Sequence, residues 1–344
     1  MKRVRRIWKK TAVALFAAIS LFFCFGNTSG AASEPIKIVF STFWPTSYEY
    51  VWLPVKHFAE KVEKESQGRI KFELCHSKQL YGAMEEFGAL ERGDIDMASP
   101  TDIYHTGIIP ELGISSLPFL FRDSESLQKM LDQGLWELGI RQKLLEHDIV
   151  VLGIAAGEPY QIYSKNVQVF SPEDMKGKKW GVSGATHSKA VELLGGIPDV
   201  MSSGKLHTAF REGRIDGCTR PFLTGRGRHL YEVADHLTVT NFACYSTFLG
   251  MNRKKWDQLP EDLQDIMKKA ASERNQEQLR RIGSYVGESI AFFKAKGVRV
   301  HISTSEEADR FRKAMSPVYE WWGGEVPDVR RYINFVFRKM AKQK

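Results

Sequence analysis

Lys205-Leu206-His207-Thr208-Ala209-Phe210-Arg211-Glu212-Gly213-Arg214-Ile215-Asp216-Gly217-Cys218-Thr219-Arg220-Pro221 is the stretch that decides the fold. Thr208, Ala209 and Phe210 lie in a short helix, Gly213 stops it, and Ile215 begins a strand. Asp216-Gly217 then leads to Arg220, delivered to a strand end just before Pro221. A near copy occurs at Met84 to Ala98, with Gly93 as the stop and Asp94-Ile95-Asp96-Met97-Ala98 as the strand. Two helix–Gly–x–Ile–Asp units predict two similar halves, and two halves predict a ligand cleft between them.

The N-terminus reads as a targeting segment. Lys2, Arg3, Arg5, Arg6, Lys9 and Lys10 precede an apolar run of 15 residues from Thr11 to Phe25. Gly30 and Ala32 supply the small residues of a cleavage site. This is the pattern of a secretory signal peptide over residues 1–32, and the run is short for a membrane span. Cys24 follows Phe23, not a small residue, which argues against a lipid-anchored start. The net charge of +8 falls to about +2 once the six basic residues of this leader are set aside. The basic balance is therefore no sign of a nucleic-acid partner.

Residues 33–344 suffice for two α/β domains. Cys75, Cys218 and Cys244 are an odd number in an exported chain, so at least one thiol is free. A Cys218–Cys244 bridge and three buried thiols are the two readings. No Cys-x-x-Cys or His-x-x-x-His spacing suggests a metal site, and nothing calls for a cofactor.

Ile36–Ser41 and Ile70–Leu74 read as strands, with a helix over Trp52–Ser66 between them. Ser124–Leu145 is mostly helical, and the apolar run Ile149–Ala155 fits a buried parallel strand. Lys179–Ser183 is a strand followed by a helix through Ala190 and Leu194. From Pro260 to Lys296 the helical pattern barely breaks, with Pro260 suited to the first helical position and Gly297 to the stop. Such a helix, about 50 Å long, would run across both domains. Val298–Ser303 is a last strand, and helix resumes at Glu306. The alternation implies an α/β protein with mainly parallel sheets.

These residues resemble the periplasmic solute-binding subunit of tripartite ATP-independent periplasmic (TRAP) transporters, the DctP-type family. The resemblance rests on Gly68-Arg69-Ile70, Gln79-Leu80-Tyr81-Gly82, Gly93-Asp94-Ile95-Asp96-Met97-Ala98, Leu117-Pro118-Phe119-Leu120-Phe121, Gly177-Lys178-Lys179, the Thr208–Pro221 unit, and Met251-Asn252-Arg253-Lys254-Lys255-Trp256 leading to Leu259-Pro260. It covers nearly all of residues 33–344 and lies in order and spacing more than in any one motif. It implies a two-domain periplasmic binding-protein fold with a hinge and a long domain-spanning helix. One domain would comprise 33–155 with about 245–275, the other 156–244 with about 276–344. It further implies capture of a small organic acid and delivery to TRAP membrane permease subunits.

Departures from the family pattern locate the candidate site. The family's carboxylate-binding Arg, two residues after the second Lys of Gly-x-Lys, is replaced by Gly181. A second family Arg around Pro159 to Gln161 is absent. Where the family has a ligand-binding Asn, this chain has Arg220. In one reading Arg220 takes over the missing role, its guanidinium fork meeting the ligand carboxylate. In the other it pairs with Asp216 or Glu158, and the ligand is neutral. Gly181 would leave room in the cleft. Phe43, Trp44 and Tyr48, after the first strand, would wall that room with aromatic faces, or else are core. Together they favour an aromatic or bulky monocarboxylate over a compact dicarboxylate.

Ser99 and Thr101, with Pro100 and Tyr104 beside them, follow a strand's carboxyl end, where open α/β sheets place ligands. Tyr160 and Gln161 offer a ring and an amide, and Asn241 and Tyr245 lie near the expected hinge crossing. His76, His105, His187, His207 and His229 read as solvated surface residues. An exported hydrolase or isomerase is the competing class. The chain has no Gly-x-Ser-x-Gly elbow, and Asp94 with Asp96 reads as turn and capping groups. A sensor input with the same fold is a third.

Overall fold

A computed structural model describes residues 34–341; the expected leader, residues 1–32, lies outside them. The described residues from Lys37 onward form one compact unit. In chain order its elements include β1 (Ile36–Ser41), α1 (Glu49–Glu65), β2 (Ile70–Cys75), α2 (Glu86–Arg92) and β3 (Met97–Ala98). Next come α3 (Ser124–Asp132), α4 (Ile140–Glu146), β4 (Ile149–Ala156), β5 (Tyr160–Ser164), β6 (Lys179–Val182), α5 (Ala185–Leu193), β7 (Ile197–Val200), α6 (Leu206–Arg211), β8 (Gly217–Pro221) and α7 (Phe222–Gly227). The chain continues through β9 (His236–Val239), β10 (Ser246–Asn252), α8 (Arg253–Asp257), α9 (Glu261–Ala295), β11 (Arg299–Ile302), α10 (Ser305–Met315), α11 (Val318–Glu325) and α12 (Val329–Ala341).

Two sheets organise the unit, in the orders β2-β1-β3-β10-β4 and β11-β9-β5-β8-β6-β7. The repeated motif explains their likeness. β1 pairs parallel with β3, and β6 pairs parallel with β8. Gly93 and Gly213 end the preceding helices with φ of +77° and +67°, a conformation that costs glycine little. Each following Asp then ties its chain to the parallel neighbouring strand, β1 in one sheet and β6 in the other. Asp96 Oδ2 accepts from Val39 N at 2.8 Å, and Asp216 Oδ2 accepts from Lys179 N at 2.8 Å. Gly-x-Ile-Asp is thus a device for docking a strand. The strands proper begin later than the motif suggests, at Met97 and Gly217.

The expectation of mainly parallel sheets needs correction. β4 pairs antiparallel with β10, and β10 antiparallel with β3. β5 likewise runs antiparallel to both β8 and β9. Ile149–Ala155 is therefore not a buried parallel strand. It lies at a sheet edge, and its apolar character comes from α3, α4 and α9 packed on it. The helical stretch from Ser124 is broken by Gly134 and Gly139, with φ of +96° and +141°.

The long helix is present. α9 has 35 residues, about 52 Å at 1.5 Å per residue, and packs on β4 and α1 of one half and on β11 and α7 of the other. Pro260 sits at its N-cap, one position earlier than expected. Trp322 is buried, donates to Pro110 O at 3.0 Å and meets Tyr332 of the last helix at 6.2 Å. Cys75, Cys218 and Cys244 are buried free thiols, which excludes the Cys218–Cys244 bridge.

Candidate functional site

The chain crosses between the sheets at 157–159, from β4 to β5, and again at 240–245, from β9 to β10. The crossings are bonded to each other: Gly157 N donates to Tyr245 O and Tyr160 N to Ala243 O, both at 2.7 Å. Gln161 completes the tie. Its Nε2 donates to Pro159 O and to Asn241 Oδ1, and its Oε1 accepts from Thr240 N and Asn241 N. With its amide so engaged, Gln161 ties the two crossings together.

A cavity lies where the crossings meet the carboxyl ends of β1, β3 and β8. Of the sequence candidates, Phe43, Trp44, Tyr48 and Thr101 line it from one half. Tyr160, Arg220 and Tyr245 line it from the β5, β8 and crossing side. Val51, Tyr104, Ser203, Pro221, Leu223 and Thr224 complete it. Tyr104 was noted beside Thr101. Ser203, Leu223 and Thr224 are beyond the sequence candidates, although Leu223 and Thr224 lie three and four residues after Arg220, past a strand's carboxyl end. Ser99 is outside the cavity, where its hydroxyl accepts from Arg274 Nη2 at 3.2 Å.

The walls interlock. Phe43 meets Trp44 and Tyr104 edge-on at 5.7 and 5.8 Å, and Tyr160 meets Tyr245 at 5.7 Å. Tyr48 donates to Thr224 Oγ1 at 3.3 Å, and Ser203 N to the Tyr104 hydroxyl at 3.1 Å. The space enclosed is about 20 Å³, roughly one water molecule on that measure. An organic acid enters only if the walls part.

Arg220 is 1 % exposed and, among the described residues, is the only charged side chain lining the cavity. Its Nη1 donates to Gly181 O and Thr219 O at 3.2 and 2.7 Å, and its Nη2 to Val182 O and Met201 O at 3.2 and 2.7 Å. Nε is buried with no acceptor. The two carboxylates considered as partners are committed elsewhere. Asp216 takes the Lys179 N–H, and Glu158 Oε1 takes the Tyr50 hydroxyl and Leu223 N at 2.9 and 2.6 Å. The pairing of Arg220 with Asp216 or Glu158 is therefore corrected. The two-pronged fork is corrected as well: carbonyl oxygens hold both Nη groups, and what remains is the charge and one N–H.

Gly181 does not leave the expected room. A Cβ there would lie 2.9 Å from Leu206 Cδ2 and 3.2 Å from Ile215 Cδ1. Apolar side chains fill the space, and Gly181 contributes its carbonyl to Arg220 instead. Two histidines are also corrected: His105 and His187 are buried, at 1 % and 0 % exposure. His187 lies edge-on to Tyr160 at 4.5 Å.

Burial sets unusual protonation around the site. It pushes the Glu158 carboxyl up to about 8 and Asp102 up to about 7. It pushes His105 and His187 down to about 3, with the Arg220 charge assisting at His187. A raised acid keeps its proton in the folded chain after the unfolded chain has lost its own. Stability then falls as pH rises from the ordinary 4.5 towards 8 for Glu158. A lowered histidine acts oppositely, adding stability as pH rises from about 3 to its ordinary 6.5. The effects oppose each other below about pH 6.5, and above it only the acids act. The melting temperature should decline between pH 6.5 and 8, and Glu158→Gln should flatten that decline. Calorimetry at pH 6.5, 7.5 and 8.5 reads it; an unaltered slope in the variant would assign the titration elsewhere.

Comparison with known proteins places this chain in a family. The sequence profile of the bacterial extracellular solute-binding protein family 7, DctP, matches residues 40–323. The chain belongs to that family. It is 27% identical over 305 residues to the C4-dicarboxylate-binding periplasmic protein DctP of Rhodobacter capsulatus, covering 84% of this chain and 87% of that one. It is 26% identical to the sialic acid-binding periplasmic protein SiaP of Vibrio cholerae, covering 79% and 84%. Among solved structures, a TRAP periplasmic solute-binding protein from a Sulfitobacter species with bound β-D-galacturonate superposes with a TM-score of 0.82 at 22% identity, covering 87% and 99%. One from Shewanella oneidensis with bound succinate gives 0.82 at 22%, covering 88% and 98%. These neighbours share the two-domain fold and, like the curated relatives, are binding receptors, not enzymes. Among the described residues no helix is long and apolar enough to cross a membrane.

Proposed function

We propose that the protein is the periplasmic receptor of a TRAP transporter, closing on a small organic acid and handing it to membrane permease subunits. The observation that carries the reading is Arg220, a buried guanidinium in the cavity wall with no carboxylate partner among the described residues. A buried unpaired charge is costly, and a ligand carboxylate would neutralise it in a water-poor site where the attraction is strong. The named ligands of the relatives above all carry a carboxyl group. One cation in the wall matches one carboxylate, and rings from both halves suit an aromatic or bulky monocarboxylate body.

The two sheets support domains of 33–155 with about 245–275 and of 156–244 with about 276–344, turning about the crossings and bridged by α9. Closure then needs only small backbone rotations at 157–159 and 240–245. The tight cavity favours a second reading, a compact acid.

The test is a thermal-shift and calorimetric screen of residues 33–344. The panel contrasts indole and phenyl acids with dicarboxylates, keto acids, sugar acids and polyols. Ligand at 100 times its Kd adds about 2.7 kcal/mol, a readily seen shift. Hits among aromatic monocarboxylates bear out the first reading, and hits confined to succinate-sized acids bear out the second. Hits confined to neutral compounds remove the carboxylate role from Arg220.

A further inference from the structure

The lip of the cleft carries two cations that the proposed site does not use. Lys78 follows β2 in the first half, and Arg228 follows α7 in the second. Both reach the same point: a Cβ on Gly204 would lie 3.1 Å from Lys78 Nζ and 3.9 Å from Arg228 Cζ. Ser203, next to Gly204, lines the cavity, and so does Tyr48, whose ring lies 5.2 Å from the Arg228 guanidinium. The cations therefore adjoin the ligand cavity.

Neither has a carboxylate partner among the described residues. Glu232 is committed to His207 and His229, at 3.1 and 3.9 Å, and Glu85 Oε2 accepts from Gly82 N. Arg228 Nε and Nη2 are buried with no acceptor at all. Two like charges converging from opposite halves resist closure, and two unused buried donors add a desolvation cost. An anionic group between them would remove both penalties and supply charge-assisted hydrogen bonds.

We propose that Lys78 and Arg228 form an anion subsite at the cleft lip, completed only when the halves meet, that binds a carboxylate, sulfate or phosphate group. The occupant is either a second acid group on the bound ligand or a separate inorganic anion. The subsite goes beyond the Arg220 reading but rests on closure of the two halves.

The experiment follows melting temperature and tryptophan fluorescence of residues 33–344 in sodium sulfate and sodium phosphate at fixed ionic strength. Lys78→Met, Arg228→Met and the double variant are compared with wild type, because sulfate also stabilises proteins nonspecifically. A saturable millimolar response in wild type, weakened tenfold or more in each single variant and lost in the double, is the expected result. Equal responses in wild type and Lys78→Met, an exposed position that folding should tolerate, would overturn the subsite. A second arm uses succinate and its monoamide. A second ligand acid group predicts tenfold tighter binding of succinate, competitive with sulfate and lost in the variants. A separate anion predicts that sulfate tightens monocarboxylate binding without competition. If no organic acid binds but the sulfate response persists, the Arg220 reading fails while the lip subsite stands.

Discussion

Replacing Arg220 by Ala should weaken binding of the organic acid by 100-fold or more, about 2.7 kcal/mol or above. The guanidinium supplies the only charge in the cavity wall, so its loss leaves a ligand carboxylate desolvated and unpaired. The variant should also be less stable without ligand. Four backbone oxygens, of Gly181, Val182, Thr219 and Met201, each lose a donor, Val182 O keeping that of Met201 N, and a buried acceptor left unsatisfied costs about 1–3 kcal/mol. Arg220→Lys separates the effects. It keeps the charge but has three donors where four are in use, so it should bind better than Ala while still melting below wild type. Isothermal titration with the best acid of the screen, alongside apo melting curves, reads both. Affinity of Arg220→Ala within twofold of wild type would end the carboxylate role.

Gly184→Ala is the second large effect. Gly184 caps α5 in an extended conformation, φ −168° and ψ −170°, so backbone strain is not at issue. The obstacle is contact across the cleft. A Cβ there would stand 2.1 Å from the carbonyl oxygen of Ile103, which lies in the short 3-10 turn after β3. Ala185 N also donates to Thr106 Oγ1 of that segment at 3.2 Å. A backbone oxygen cannot swing aside as a side-chain tip can, so relief requires the two segments to separate. The variant should fold, with ligand affinity reduced about 10- to 100-fold, matching overpacking costs of about 1–3 kcal/mol. Small-angle scattering should show a larger radius of gyration under saturating ligand than wild type. Wild-type affinity with a wild-type radius would mean that this contact is not part of closure.

Both predictions turn on positions whose neighbours are remote in sequence, and that marks where sequence reading stopped. Arg220 stood out because it follows a local signal, the Gly-x-Ile-Asp unit, and because it departs from a family pattern. Its partners could not be read. The carbonyls of Gly181, Val182 and Met201 reach it through the pairing of β6 with β8 and a turn further on. Gly181 misled for the same reason: absence of a side chain implies space only if no neighbour fills it, and Leu206 and Ile215 do. His105 and His187 sit among polar residues in sequence yet are buried, because polarity along the chain does not report what other elements cover.

What sequence alone determined is whatever is carried by short spacing. The repeated helix–Gly–x–Ile–Asp units, the glycines at positive φ and the 35-residue helix all follow from local preference and periodicity. They sufficed for two similar halves with a cleft between them; the rings of Phe43, Trp44 and Tyr48 were set along it by the family resemblance. Tertiary structure decided the rest. The antiparallel β5 and β10, the closed cavity and the commitment of Gln161 to the hinge depend on the two crossings, which bring together residues up to scores of positions apart. Strand direction within a sheet and the occupancy of a side-chain position are properties of pairing and packing, and a single strand's residues are compatible with more than one of each.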